Sequence, residues 1–430
     1  MMKNFKYVAM MAAALTLGLS SCSNNDDLGN GETIDTGRPT KMTLAITQPT
    51  TYATDGNATA AEVDIKTVDV YIYSGSTFIK RENFKVDDGD FVQDSTDPAV
   101  WKLATGKEIT TTTGAKNIYV GVNLSEELAG KIAGTNPGTF AQTVASAAAL
   151  NSDGFAMFSR TTTTADLVAT DATDYDTKNT VSTTVARLLA KVVVKEKSSS
   201  ATVAPEGKFH NLKFTVHNVN TKFFPLPSAT FVDPNHESQT VFSDFIKGTS
   251  YTNVNKSTVT DPEDIKAIYT TENTSLGDLQ GDHTYVHVEA AFVPTTINGW
   301  VGENLTTEAD INPGDIFYRV IVEGKNYYFS DKDQATAYAS AKTGTLTEYI
   351  GGLSYYNVFL NPNPAKGENK FDVLRNTIYT VNITKINGLG EGKDVAIDPE
   401  VPIVAPTNLS VEIDIEDWST NDQDSELTGK

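Results

Sequence analysis

The side chains able to do chemistry in this chain are few, and their spacing argues against most of it. There is one cysteine, Cys22, and there are five histidines among 430 residues. One cysteine excludes an intrachain disulfide, a Cys-based zinc site and dithiol chemistry. His283 and His287 stand four apart, a spacing that grips a metal on a helix. Their segment alternates as a strand does, which puts them about 13 Å apart at ~3.3 Å per residue, too far for one zinc ion. They read as surface histidines of a strand. Lys342-Thr343-Gly344 echoes a triplet of penicillin-binding proteins, but no Ser-x-x-Lys supplies the nucleophile it serves. Asp174-Tyr175-Asp176 and Asp87-Asp88-Gly89-Asp90 cluster carboxylates without EF-hand spacing, and read as solvated acidic turns. Neither a phosphate-binding glycine loop nor a nucleophile elbow is present. The expectation is no catalysis, no metal and no cofactor. The pairs Tyr327-Tyr328 and Tyr355-Tyr356 could line a glycan site, but equally suit packing on sheet faces.

Cys22 has a context that gives it one use. Lys3 and Lys6 form a basic start, and Val8 to Leu19 is an apolar stretch too short to span a bilayer. It ends at Leu19-Ser20-Ser21-Cys22, small residues followed by cysteine, the pattern of a bacterial lipobox. There the chain is cut before the cysteine and lipid is attached to it. The alternative is an ordinary signal peptide with an incidental cysteine. Residues 22–40 then form an acidic, Gly/Asn/Asp-rich tether.

The elements that follow are strands. Met42, Leu44 and Ile46 alternate with Thr43, Ala45 and Thr47. The same period of two recurs near Val68, Ile118, Val185, Leu212, Tyr285, Ile316 and Ile378, in segments rich in Val, Ile, Thr, Tyr and Phe. Leu124 to Ala133, with Ser125 as N-cap, and the alanine-rich Phe140 to Leu150 are the two segments with a helical pattern, and Thr161 to Thr184 reads as a long loop. An all-β chain of two β-sandwich domains with short helical inserts fits best, divided as 41–197 and 198–398 at the Ser198-Ser199-Ser200 interruption.

Charge narrows the partners. Asp plus Glu number 55 against 34 for Lys plus Arg, a net −21. Nucleic acid and anionic lipid surfaces are poor partners for such a chain. Membrane attachment through the lipid on Cys22 needs no positive patch.

The C-terminal segment 399–430 holds the clearest pattern. Leu409, Val411, Ile413 and Ile415 point one way, and Ser410, Glu412, Asp414 and Glu416 the other. Pro399, Pro402 and Pro406 stiffen the approach, so the strand reads as one on an extended arm, able to pair with another molecule.

In order and spacing these pieces resemble the fimbrillins, subunits of the type V pili of Gram-negative anaerobes. The resemblance runs from the Cys22 lipobox and Lys41-Met-Thr-Leu-Ala-Ile-Thr47 through Asn117–Asn123 and Val185–Lys191 to Leu374-Arg-Asn-Thr-Ile-Tyr379 and the terminal Leu-Ser-Val-Glu-Ile-Asp-Ile-Glu-Asp-Trp418. It implies two sandwiches of the transthyretin-like, Greek-key type and a non-enzymatic structural role in cell adhesion. It implies export as a palmitate-bearing lipoprotein to the outer membrane, and a place at the cell surface in the fimbrium. Its partners would be copies of itself, other pilus subunits, and a host or bacterial surface receptor. Met42, Leu44 and Ile46 would belong to a plug strand that a protease removes from the N-terminal domain. Leu409, Val411, Ile413 and Ile415 would form the donor strand that fills the groove of another subunit. One departure stands out: the loop from Gln48 to Ala61 has no Arg or Lys for an arginine-specific protease, and Arg38 is followed by Pro39. Either another enzyme processes the chain, or the first strand stays, as in a subunit that anchors the pilus base. A second reading is a monomeric surface lipoprotein that binds glycan. The arm discriminates between them: a polymer subunit needs it free and strand-competent, whereas a monomer folds it into its own sheet or has it disordered.

Overall fold

Alternation becomes a strand wherever one face can be buried, and this chain does so repeatedly. The computed structural model describes residues 37–48, 58–171, 174–236, 245–360, 371–404 and 408–418. The all-β reading holds: sheets dominate and the helices are short.

The first sheet has ten strands, all from residues 39–187. Its centre contains β1 (Pro39–Thr47), flanked by β2 (Val100–Leu103), β3 (Ile109–Thr112) and β4 (Thr180–Arg187). Thr67–Ser74, Gly114–Val122 and Met157–Ser159 continue the sheet beyond β4 and bury most of their side chains.

Sheet partners then change within one residue. β4 pairs with β1 and with Met157–Ser159, whereas β5 (Leu189–Glu196), starting just past Leu188, joins another sheet. The exchange falls ahead of Ser198–Ser200, which is the turn after β5. A second layer contains β6 (Gly207–His217), and β7 (Ala267–Thr271) returns to the sheet of β5. β8 (Tyr285–Pro294) pairs with β6, while β9 (Phe317–Val322) and β10 (Thr345–Tyr349) form a small sheet with Lys325–Phe329. β11 (Leu353–Phe359) pairs with β8, and the chain closes with β12 (Thr377–Ile386) and β13 (Leu409–Asp417). The order of the last sheet is β7-β5-β12-β13. One hydrophobic cluster runs from Met42 to Trp418 through these layers.

Helices depart from the sequence reading in both directions. α1 (Glu126–Ile132) forms as expected, with the Ser125 side chain accepting from the Leu128 amide. Phe140 to Leu150 does not: Gln142–Thr143 is a short strand against Lys222–Phe223, and a 3-10 turn follows at Ala147–Leu150. Alanine propensity is a weak preference that a tertiary ladder overrides. The expected loop at 161–184 contains the strand Thr163–Leu167 and a helical turn at Tyr175–Lys178. A second full helix, α2 (Lys332–Lys342), has a weak apolar stripe of Ala335, Tyr338 and Ala339. Asp331 caps its start by accepting from the Gln334 amide at 2.8 Å. Lys342-Thr343-Gly344 is its C-terminus: Thr343 takes the left-handed conformation and the Gly344 amide reaches the Ala339 carbonyl at 2.8 Å.

Candidate functional site

The sequence singles out two strands, and the structure puts them in opposite situations. β1 is held along both edges. It runs parallel to β4, with Thr43 opposite Thr180 and Thr47 opposite Thr184. Its other edge meets β3 antiparallel over Pro39–Met42 and β2 antiparallel over Ala45–Thr47. Met42, Leu44 and Ile46 are wholly buried on one face, as the alternation requires. Asn179 secures the strand from outside, donating to the Lys41 carbonyl at 2.8 Å.

β13 is held along one edge. It pairs antiparallel with β12, Ile413 opposite Val381 and Leu409 opposite Ile386, with an irregularity between Ile383 and Lys385. Among the described residues no strand lies beside its other edge. Leu409 is buried, Val411 and Ile413 are half-buried against the core, and Ile415 is 43% exposed. The acids face out, as expected: Glu412 meets Lys197, and Asp414 accepts from Asn382 at 2.7 Å. The arm is therefore not free. Its approach is also docked: the amides of Gln280 and Gly281 donate to the carbonyls of Val401 and Pro399, and the Ile403 amide donates to Asp278. This is the arrangement that the sequence reading assigned to a monomer. Proline spacing speaks for an extended chain, but an extended chain also suits docking alongside another segment.

Sequence reasoning noted Trp418 only as the end of a motif, yet it is the strongest attachment of the terminal strand. It is fully buried. Its indole stacks on Tyr269 at 5.8 Å and meets Phe155 edge-on at 5.8 Å. The Arg187 guanidinium lies 4.5 Å from its ring centre. On the backbone, the Trp418 amide donates to the Asn376 carbonyl at 2.8 Å, and Arg187 Nη1 donates to the Trp418 carbonyl at 3.2 Å. Beneath lies a buried ion pair, Lys191 Nζ to Glu62 Oε1 at 2.9 Å. Burial lowers the Lys191 pKa and Glu62 opposes that shift. Glu62 and Phe155 come from the segments beside the first sheet, and Tyr269 and Asn376 from the last, so Trp418 sits where the two meet.

The remaining candidates are placed as follows. Cys22 lies outside the described residues. His287 belongs to a strand as expected, whereas His283 lies in the bend between the 3-10 turn Gln280–Asp282 and β8, and both are buried, not on the surface. β8 is covered on both faces, so its outward positions are interior too. His287 Nδ1 faces Asn357 Oδ1 at 2.6 Å, and its ring stacks on Tyr355. His217 on β6 stacks on Tyr285, and neither of its ring nitrogens has a hydrogen-bond partner. Burial pushes the His217 pKa down to about 4. Among the described residues no group of three or more His, Cys, Asp or Glu could hold a metal ion. Tyr328 and Tyr356 are buried in sheet packing, where the sequence reading inclined to place such pairs.

With this geometry in hand, the chain can be set beside known proteins. Residues 347–424 match the family model described as major fimbrial subunit protein type IV, fimbrillin, C-terminal. No curated protein matches the chain. Among solved structures it is similar to a protein from Parabacteroides distasonis described as a cell adhesion protein. The identity is 13%, the TM-score 0.52, and the match covers 89% of this chain and 99% of that one. That likeness shows a shared fold. A fimbrilin from Porphyromonas gingivalis W83 is similar at 12% identity and TM-score 0.47, over 88% of this chain and 98% of its own. The tip fimbrial protein Mfa3 from Porphyromonas gingivalis, with a C-terminal truncation, is similar at 12% identity and TM-score 0.39, over 88% of this chain and 100% of its own.

Proposed function

We propose that this chain, whose residues 347–424 match the fimbrillin C-terminal family model, is a structural pilus subunit that polymerises by strand exchange. In this reading it is exported as a lipoprotein through Cys22, anchored at the outer membrane and assembled at the cell surface. β13 is the donor strand, stored on its own sheet until assembly. The observation that carries the reading is the contrast between the two strands. β13 occupies a sheet edge with Val411, Ile413 and Ile415 only partly covered, while β1 fills a buried slot bounded by strands on both sides. Removing β1 would expose a groove lined by β2, β3 and β4. An incoming strand with the same alternation could restore the lost ladders and burial. Each such side chain fully buried contributes roughly 1.5–3 kcal/mol, so β13 has more to gain in a deep groove than at its own edge.

A division into an N-terminal and a C-terminal domain, expected as 41–197 and 198–398, belongs to the same proposal, with the boundary moved to Leu188, where the sheet partners change. The lack of Arg and Lys between Gln48 and Ala61 favours either a different processing enzyme or an anchor subunit that keeps β1. The folded-back arm favours a second reading, a monomeric surface lipoprotein that binds glycan. Electron microscopy and gel filtration of processed chain truncated after Pro406 separate the two. The proposal expects monomers only. Normal filaments from the truncated chain would remove β13 as the joint.

A further inference from the structure

A cavity of about 490 Å³ opens between the small sheet of β9 and β10 and the loop from Asn387 to Gly392. Its size is within the range of small-ligand pockets, but its chemistry is unlike that of a greasy pocket. Glu206, Arg319, Asn326, Asn387, Glu391 and Asn408 bring polar groups to its wall. The aromatic side chains beneath, Tyr328 and Tyr349, are buried and support the wall.

Two features mark the wall as built for a guest. The first is Arg319. It lines the cavity, its guanidinium lies over the Tyr349 ring at 5.4 Å, and among the described residues no carboxylate pairs with it. An arginine without a carboxylate partner at the cavity wall has guanidinium donors to offer a ligand oxygen. Glu206 complements it: its Oε2 accepts from Asn326 Nδ2 at 2.7 Å and from the Tyr328 hydroxyl at 2.6 Å. Both bonds fall on one oxygen and hold the carboxylate in place beside the cavity.

The second feature is the rigidity of the glycine loop. The Tyr356 hydroxyl donates to the Gly388 carbonyl at 2.9 Å, the Gly390 amide donates to Ser354 Oγ at 2.7 Å, and Asn408 Nδ2 donates to the Leu389 carbonyl at 2.9 Å. A Cβ on Gly390 would lie 2.1 Å from the Tyr355 carbonyl oxygen, so only glycine lets the loop lie this close. A wall already held in place loses little entropy on binding.

We propose that this cavity binds a neutral, hydroxyl-rich saccharide. Hydroxyls both donate and accept, which matches an arginine donor, a carboxylate acceptor and amides that do either. Two carboxylates, Glu206 and Glu391, against one arginine disfavour an acidic sugar. The polar wall disfavours an apolar ligand. Asn408 of the wall directly precedes β13, so the site is that of the chain with its terminal strand in place, and a failure to bind sugar leaves the strand-exchange reading untouched.

The experiment is saturation-transfer NMR and titration calorimetry on the full chain. The probes are glucose, galactose, mannose, N-acetylglucosamine and lactose, with glucuronic acid as the charged control. Binding of at least one neutral sugar is expected, weakened tenfold or more by Arg319→Met and by Glu206→Gln, with glucuronic acid weaker than its neutral counterpart. Glu206 is exposed, so Glu206→Gln decides the matter if Arg319→Met does not fold. No binding of any neutral probe at millimolar concentration overturns the proposal. So does binding that survives Glu206→Gln in a folded chain, or a preference for glucuronic acid.

Discussion

Trp418 shows how much one side chain can hold. It joins a buried aromatic stack, a cation over its face and two backbone hydrogen bonds at the very end of the described chain. Replacing a buried large aromatic by alanine costs about 3–5 kcal/mol. Trp418→Ala is expected to lose that attachment while leaving the first sheet intact. Hydrogen exchange on β12 and β13 checks it: their amides should exchange much faster in the variant while those of β1 stay protected. His217 yields a second prediction at this scale. In the folded chain its pKa is about 4, against 6.5 ordinarily, because burial opposes its charge; nearby His287 and Lys247 add to this and Asp394 opposes it. The unfolded chain takes up the proton first. The contribution is therefore complete above pH ~6.5 and lost as pH falls toward 4, by about 3 kcal/mol at most. His217→Phe has no ring nitrogens to protonate, so its urea stability should fall less than the parent's between pH 6.5 and 4. Asp233 and Asp282, pushed up by burial to about 7 and about 6, act in the opposite direction. They are common to both chains, so the difference between the two isolates His217. Equal slopes would refute the assignment.

At the scale of elements, β13 gives the sharpest separation of folding from assembly. Ile415 is 43% exposed in the folded chain, and substitutions at such positions usually change stability by within about 0.5 kcal/mol. A donor strand seated in a groove would bury it. Ile415→Asp should therefore melt like the parent, yet fail to form filaments when processed. Filaments from that variant would mean that Ile415 never enters a groove. The alternation of β1 and β13 was legible because each strand has one buried face, and so was α1, because its N-cap stands at the right place. α2 was not, since alanines leave its apolar stripe faint and its N-cap follows directly on a Tyr-rich strand. The burial of His287 was hidden for another reason. A strand covered on both faces has no polar side to read. The Trp418 attachment joins residues far apart in the chain, Glu62, Phe155, Tyr269 and Asn376 among them, and no local pattern encodes that. The cavity beside β9 was illegible for the same reason.

For the whole molecule, surface attachment is proposed to rest on one residue. Cys22 is the only cysteine, so acyl labelling has a single possible cysteine acceptor. Cys22→Ala should abolish label from tritiated palmitate and leave an unprocessed precursor off the outer surface. Label retained on that variant, with normal surface exposure, would refute the lipoprotein reading. The net charge of −21 keeps neighbouring copies apart in solution, which suits the proposed role of a subunit exported before it assembles.

The buried indole has an optical consequence. The chain has three tryptophans. Trp101 and Trp300 are half-buried, and Trp418 is sealed between Tyr269 and Arg187. Moving Trp418 into water would shift its emission to longer wavelength and change its quenching. With Trp101→Phe and Trp300→Phe in place, a single emitter remains at the end of β13. Its spectrum would then report, without any label, when the terminal strand leaves its own sheet. A red shift that precedes the rise of scattered light during assembly would order the two events in time.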